Sequence, residues 1–191
     1  MKAVLLSIRP NWCKLIWSGM KTVEVRKTRP KLETPFKVYV YCTGHYDWTM
    51  NFPKTGVQKM NGKVICEFTC DRIERVGIPY PAYQNELGER FTKDSCLSYS
   101  QLHRYAFHDD LFFWHISGLK VYDKPKPLSD FSKHGFSSLF GTNICGNENC
   151  EHYEPSGDRM VPPTCDLNGY CSLRKASQSW CYVEELRNGW N

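Results

Sequence analysis

The residues best able to do chemistry lie close together near the start of the chain. Gly19-Met20-Lys21-Thr22-Val23-Glu24-Val25-Arg26 sets a carboxylate between two cations. Arginine offers a planar fork of donors and lysine a compact point charge. A glutamate between them can pair with either cation or act as a general base. The same three charges on an ordinary strand would form a solvated ion pair of little worth. What decides between the two is how the surrounding elements aim them.

Those elements can be read from the residue pattern. Residues 10–18 predict one short helix, with proline at its first position and Trp12, Leu15 and Ile16 at helical spacing. Gly19 suits the position just past a helix end. Residues 22–26 then alternate as a strand, with Val23 and Val25 on one face and Thr22, Glu24 and Arg26 on the other. Helix, glycine and polar strand face together build a small charged site. Residues 4–8, 38–43, 63–69 and 112–122 are the other strand candidates. Residues 98–107 predict a helix capped by Ser98, with Leu102, Tyr105 and Ala106 on one side. Residues 44–61 read as a loop rich in aromatic and polar groups. Cys66, Phe68 and Cys70 share a strand face and read as core, because a buried thiol packs as a small hydrophobe. Residues 179–186 predict a last strand, since Trp180, Tyr182 and Val183 are too apolar for a free end. The sum is an α+β fold, a small mixed β-barrel with a few flanking helices.

The chain has 191 residues, 41% of them hydrophobic and 24% charged, which bounds it to little more than one domain. No apolar run approaches the roughly 18 residues of a membrane span. Met1 to Leu6 carries one positive charge and is too short for a signal peptide, so a cytoplasmic protein with no membrane partner is expected. A net charge of +5 suits a nucleic-acid partner without requiring one.

From residue 132 to 178 strand periodicity gives way to Gly, Pro, Asn and Cys. Cys145, Cys150, Cys165 and Cys171 fall at C-x4-C-x14-C-x5-C spacing. A segment so poor in apolar groups cannot offset its ordering entropy by burial. Four thiolates on a structural zinc ion would supply that folding energy instead, and His152 could replace one of them. Two disulfides, an iron–sulfur cluster, or an insertion with incidental cysteines are the alternatives. The expected organisation is a domain at 1–131, a cysteine-rich insertion at 132–178, and a tail at 179–191 returning to the domain. Cys13, Cys42, Cys96 and Cys181 are scattered through apolar runs, and nothing local marks a nucleophile among them.

Gly19, Lys21, Glu24 and Arg26 fit the G-x-K-x-x-E-x-R signature of the ASCH domain, a relative of the PUA domain. Leu6-Ser7-Ile8-Arg9-Pro10 with Trp12 resembles that family's first strand and helix start, and Val38-Tyr39-Val40-Tyr41-Cys42-Thr43 its next core strand. Trp114-His115-Ile116-Ser117 and Lys124-Pro125-Lys126-Pro127-Leu128 resemble its late strand and proline-rich exit. The chain looks most like the small stand-alone ASCH proteins of bacteria and their phages. The resemblance implies a PUA-like barrel with a cleft beside the helix–glycine–strand junction, sized for a nucleotide or nucleoside. Lys21 and Arg26 would meet a phosphate or carbonyl oxygen there, and Ser7 and Arg9 would line the same cleft. Tyr41 and Trp114, with Trp48, are candidates to stack a base, while Trp12 and Trp17 are core or cleft wall.

Three functions follow from the resemblance. The leading one is binding of RNA or a nucleotide in the Lys21/Glu24/Arg26 cleft. The second is a metal-independent ribonuclease, with Lys21 stabilising phosphate charge and Ser7, Tyr41 or Glu24 moving protons. The third is a hydrolase of modified nucleosides. Some small ASCH-like proteins remove the acetyl group of N4-acetylcytidine, with a threonine three residues after the lysine, where this chain has Glu24.

Overall fold

The computed structural model describes residues 1–44, 47–78, 86–132, 138–139, 142–143, 153–158, 160, 164–165, 173 and 175–186. In chain order these form β1 (Lys2–Ile8), α1 (Pro10–Trp17), β2 (Val23–Arg26), β3 (Phe36–Cys42), β4 (Thr49–Phe52), β5 (Gly56–Lys59) and β6 (Lys63–Val76). There follow α2 (Glu86–Ser95), α3 (Tyr99–Ala106), β7 (Leu111–Pro127), β8 (Ser138–Leu139), β9 (Thr142–Asn143), β10 (Tyr153–Glu154), β11 (Thr164–Cys165) and β12 (Trp180–Glu184). No helix among the described residues is long and apolar enough to cross a membrane.

One six-stranded sheet in the order β12-β1-β3-β6-β7-β2 organises the molecule. β1 runs parallel to β3 and antiparallel to β12, and the remaining neighbours are antiparallel. Val4, Leu6 and Ile8 of β1 join Val38, Val40 and Cys42 of β3 in one core cluster, while Ala3 and Leu5 join Tyr39 in the other. Alternation along each strand produces this division. Because both faces of β1 are covered, its middle, Ala3 to Leu6, reads as an unbroken apolar run. Cys66, Phe68 and Cys70 lie in the first cluster, on the single face their spacing implies. A third cluster packs Phe91 of α2 and Leu102 and Ala106 of α3 against Val23, Val25 and Phe113.

The expected closed barrel is instead an open sheet, because β2 and β12 each pair along one edge only. β2 has four residues, and a side chain carries the link from it to β1: Arg26 Nη2 donates to the Ser7 carbonyl at 2.7 Å. Trp180 Nε1 likewise donates to Thr28 Oγ1 at 3.1 Å, and the Lys31 backbone N–H donates to the Tyr182 hydroxyl at 2.7 Å. Three register shifts interrupt the β6–β7 ladder, the kind of irregularity that bends a strand and increases its twist.

Two elements depart from expectation. Residues 44–61 hold the β4–β5 hairpin rather than a loop alone, and α2 had no counterpart in the sequence reading. Of the expected zinc ligands, only the Cys165 backbone is described, opposite Tyr153 in the β10–β11 pair. Cys145, Cys150, Cys171 and His152 lie outside the described residues. Among the described residues no group of three or more His, Cys, Asp or Glu side chains is arranged to hold a metal.

Candidate functional site

Pro10 opens α1, and Gly19 ends it with a backbone φ of +74°. No atom lies within 4 Å of where a Gly19 Cβ would sit, so glycine is needed there for the sign of φ and not for space. The Gly19 and Lys21 N–H groups donate to Ile16 and Leu15 carbonyls, which folds the chain back under the helix. That reversal turns Lys21 inward, where it is only 2% exposed.

Two partners neutralise the buried ammonium. Lys21 Nζ donates to the Ser95 carbonyl at 2.6 Å and lies 3.4 Å from Glu24 Oε2. Ser95 is the last residue of α2, so the ammonium sits at the electronegative end of that helix. The Thr22 N–H donates to the Asp94 carbonyl and fixes the same helix end. The other Glu24 oxygen, Oε1, lies 3.0 Å from Arg26 Nε. That N–H is not aligned on it as a hydrogen bond, so the contact is an ion pair. One carboxylate therefore serves two buried cations, and the cluster keeps a net positive charge.

The cluster forms one wall of a cavity of about 410 Å³, within the range of small-molecule sites. Ser7, Arg9, Lys21, Glu24 and Arg26 all line it, which brings five of the seven expected ligand-binding residues together. Trp12 contributes an aromatic wall, with Lys21 Nζ 5.3 Å from its ring centroid. Ser7 Oγ donates to the Ser177 carbonyl, which ties this wall to the end of the chain.

Tyr41 and Trp114 do not line the cavity. Tyr41 alternates with Val40 and Cys42 on β3, so it faces the other core cluster with Tyr39. Trp114 has no exposed surface and packs edge-on against Phe36 with centroids 5.9 Å apart. Trp48 also packs against the core, under the Lys14 ammonium. Of the nuclease set Lys21, Ser7 and Tyr41, the cavity brings Lys21 and Ser7 together and leaves Tyr41 out.

Gln101 and Tyr105 of α3 line the cavity instead, and the sequence reading missed both roles. Tyr105 is 40% exposed and does not join the buried Leu102 and Ala106. The available signal was the four-residue spacing of Gln101 and Tyr105, which places two lining residues on one face of α3. Gln178, another lining residue, carries no local signal.

Three of the core thiols are poor nucleophiles. Burial, with Cys42 beside it, pushes the Cys13 thiol well above its ordinary value, and burial pushes up Cys66 too. Cys70 is raised by burial and then by Asp71 to about 12. These three thiols stay protonated at neutral pH.

The chain shares its fold with the ASCH protein of Zymomonas mobilis. A tyrosine-to-phenylalanine variant of that protein superposes with a TM-score of 0.50 and 21% identity, over 67% of this chain and 77% of that one. The unsubstituted Zymomonas mobilis ASCH gives a TM-score of 0.49 and 21% identity, over 66% and 73%. No protein-family model and no curated protein matches the sequence.

Proposed function

We propose that this ASCH-fold chain binds RNA or a nucleotide in the cavity walled by Lys21, Glu24 and Arg26. The supporting observation is the charge arithmetic: two buried cations share one carboxylate on the wall of a cavity of about 410 Å³. A ligand phosphate or carbonyl oxygen supplies the missing negative partner. Arg9, exposed beside them, adds a further cation, and the rings of Trp12 and Tyr105 offer faces for a base. The volume suits one unstacked nucleotide and not a duplex. Binding ranks above catalysis because both Glu24 oxygens are engaged by cations, which opposes a general-base role. A structural zinc on Cys145, Cys150, Cys165 and Cys171, and a cytoplasmic setting, complete the proposal.

End-labelled single-stranded and structured RNAs, run on native and denaturing gels, test this reading. The expected result is a salt-sensitive shift without new fragments, weakened about tenfold by Arg9→Ala. Fragments that vanish with Lys21→Ala would establish a ribonuclease instead. Release of acetate from N4-acetylcytidine would establish the nucleoside hydrolase.

A further inference from the structure

We propose that the cavity selects a keto-bearing base over an amino-bearing one, and that Gln101 makes the selection. This rests on the nucleotide reading above and specifies its ligand. The Gln101 amide has a fixed orientation. The Ser98 backbone N–H donates to Gln101 Oε1 at 2.8 Å, closing a capping box in which Ser98 Oγ accepts from the Gln101 N–H. A backbone N–H can donate only to the oxygen of an amide, so the oxygen and nitrogen of Gln101 are assigned without ambiguity. With Oε1 engaged by the cap, Gln101 has its Nε2 hydrogens left to offer a ligand.

The two cations of the inner wall agree. Lys21 and Arg26 are donors only. Glu24, the one carboxylate lining the cavity, holds a cation on each oxygen. Ser7 and Thr43 give their hydroxyl protons to the Ser177 and Ile8 carbonyls, which leaves their oxygens as acceptors, and the Ser7 carbonyl accepts from Arg26, so the selection rests on Gln101. Tyr105 and Gln178, toward solvent, can donate or accept. Tyr105 follows Gln101 by four residues on the same helix, so a base stacked on its ring brings an edge to the Gln101 amide. Uracil presents a carbonyl oxygen at its 4-position and cytosine an amino group. The amino group would set two donors against each other and leave both unpaired, which is where polar sites discriminate most strongly.

The test is binding of uridine and cytidine 5′-monophosphates by calorimetry, to the parent chain and to Gln101→Glu. Glutamate keeps the capping box, since one of its oxygens still accepts from Ser98, while the other turns the offered donor into an acceptor. The parent is expected to bind the uridine nucleotide about tenfold more tightly. The variant, with an unchanged thermal midpoint, should reverse the order. The ratio is the readout, because the added charge weakens both ligands. A pyrimidin-2-one nucleotide, which lacks the 4-substituent, gives a check that needs no variant, and the parent should bind it more weakly than uridine. Equal binding of all three nucleotides, or a ratio that Gln101→Glu leaves unmoved, overturns the selection and leaves nucleotide binding standing. Absence of any nucleotide or RNA binding overturns both.

Discussion

Glu24 holds Lys21 and Arg26 through separate oxygens, so its removal strands two charges at once. Breaking a buried pair from one side costs about 3–5 kcal/mol, because the remaining charge stays desolvated. Glu24→Gln is therefore expected to lose stability of that order in urea denaturation, even though the side-chain shape is kept. A loss below about 1 kcal/mol would mean that the two cations find other partners. The glycine–lysine–glutamate–arginine spacing was legible in the sequence because a two-residue period puts Glu24 and Arg26 on one strand face. That Lys21 is buried was not legible. Its acceptor, the Ser95 carbonyl, lies 74 residues further along the chain. Tyr41 and Trp114 were misplaced for a related reason: an aromatic ring has the same composition whether it stacks on a base or fills a core.

α2 and α3 behave differently as elements. The Ser98 cap and the first turn of α3 are written locally, and Ser98→Ala should cost about 1 kcal/mol of stability by thermal or chemical denaturation. α2 was missed because its residues are mostly polar; among its described side chains Phe91 is the hydrophobic one that reaches a core, its ring tilted 41° against Phe113 at 4.2 Å. Tertiary contacts hold it in place. Arg90 of α2 pairs with Glu74 of β6 at 2.8 Å, and Glu74 also contacts Arg72 and His115. Burial by itself would raise the Glu74 carboxyl, but Arg90, His115 and Arg72 together hold it below its usual value. A carboxyl depressed in the folded state adds stability above its unfolded value, near 4.3, and loses it as pH falls through the folded value. Glu74→Gln should thus be less stable than the parent by under about 1 kcal/mol at pH 7, given the exposed partners. The gap should close in acid, and one that widens below pH 4 would sink this account.

At the scale of the whole molecule, the sheet strands were the most legible part, since their apolar runs and alternation survive any arrangement. Closure was not legible. A chain cannot announce that β2 reaches β1 through the Arg26 side chain, and that Trp180 of β12 reaches Thr28 just past β2, without a ladder. The four-cysteine proposal also belongs to this scale, because a metal would fold a segment that burial cannot. Elemental analysis of the purified protein should find about one zinc per chain, reduced by serine at Cys145 or Cys171. Zinc-free protein with those thiols free would remove the metal from the proposal.

The tie from Ser7 to Ser177 spans 170 residues, and Gln178 and β12 follow close behind it. On a ribosome, Lys21, Glu24 and Arg26 emerge long before the segment that completes their wall. Nascent chains and fragments cut before residue 177 would carry every charge of the cluster without an enclosed cavity. The cavity wall is thus completed only once residues 177 and 178 have been made, and a protease cutting between the cluster and those residues could open it while sparing the cluster.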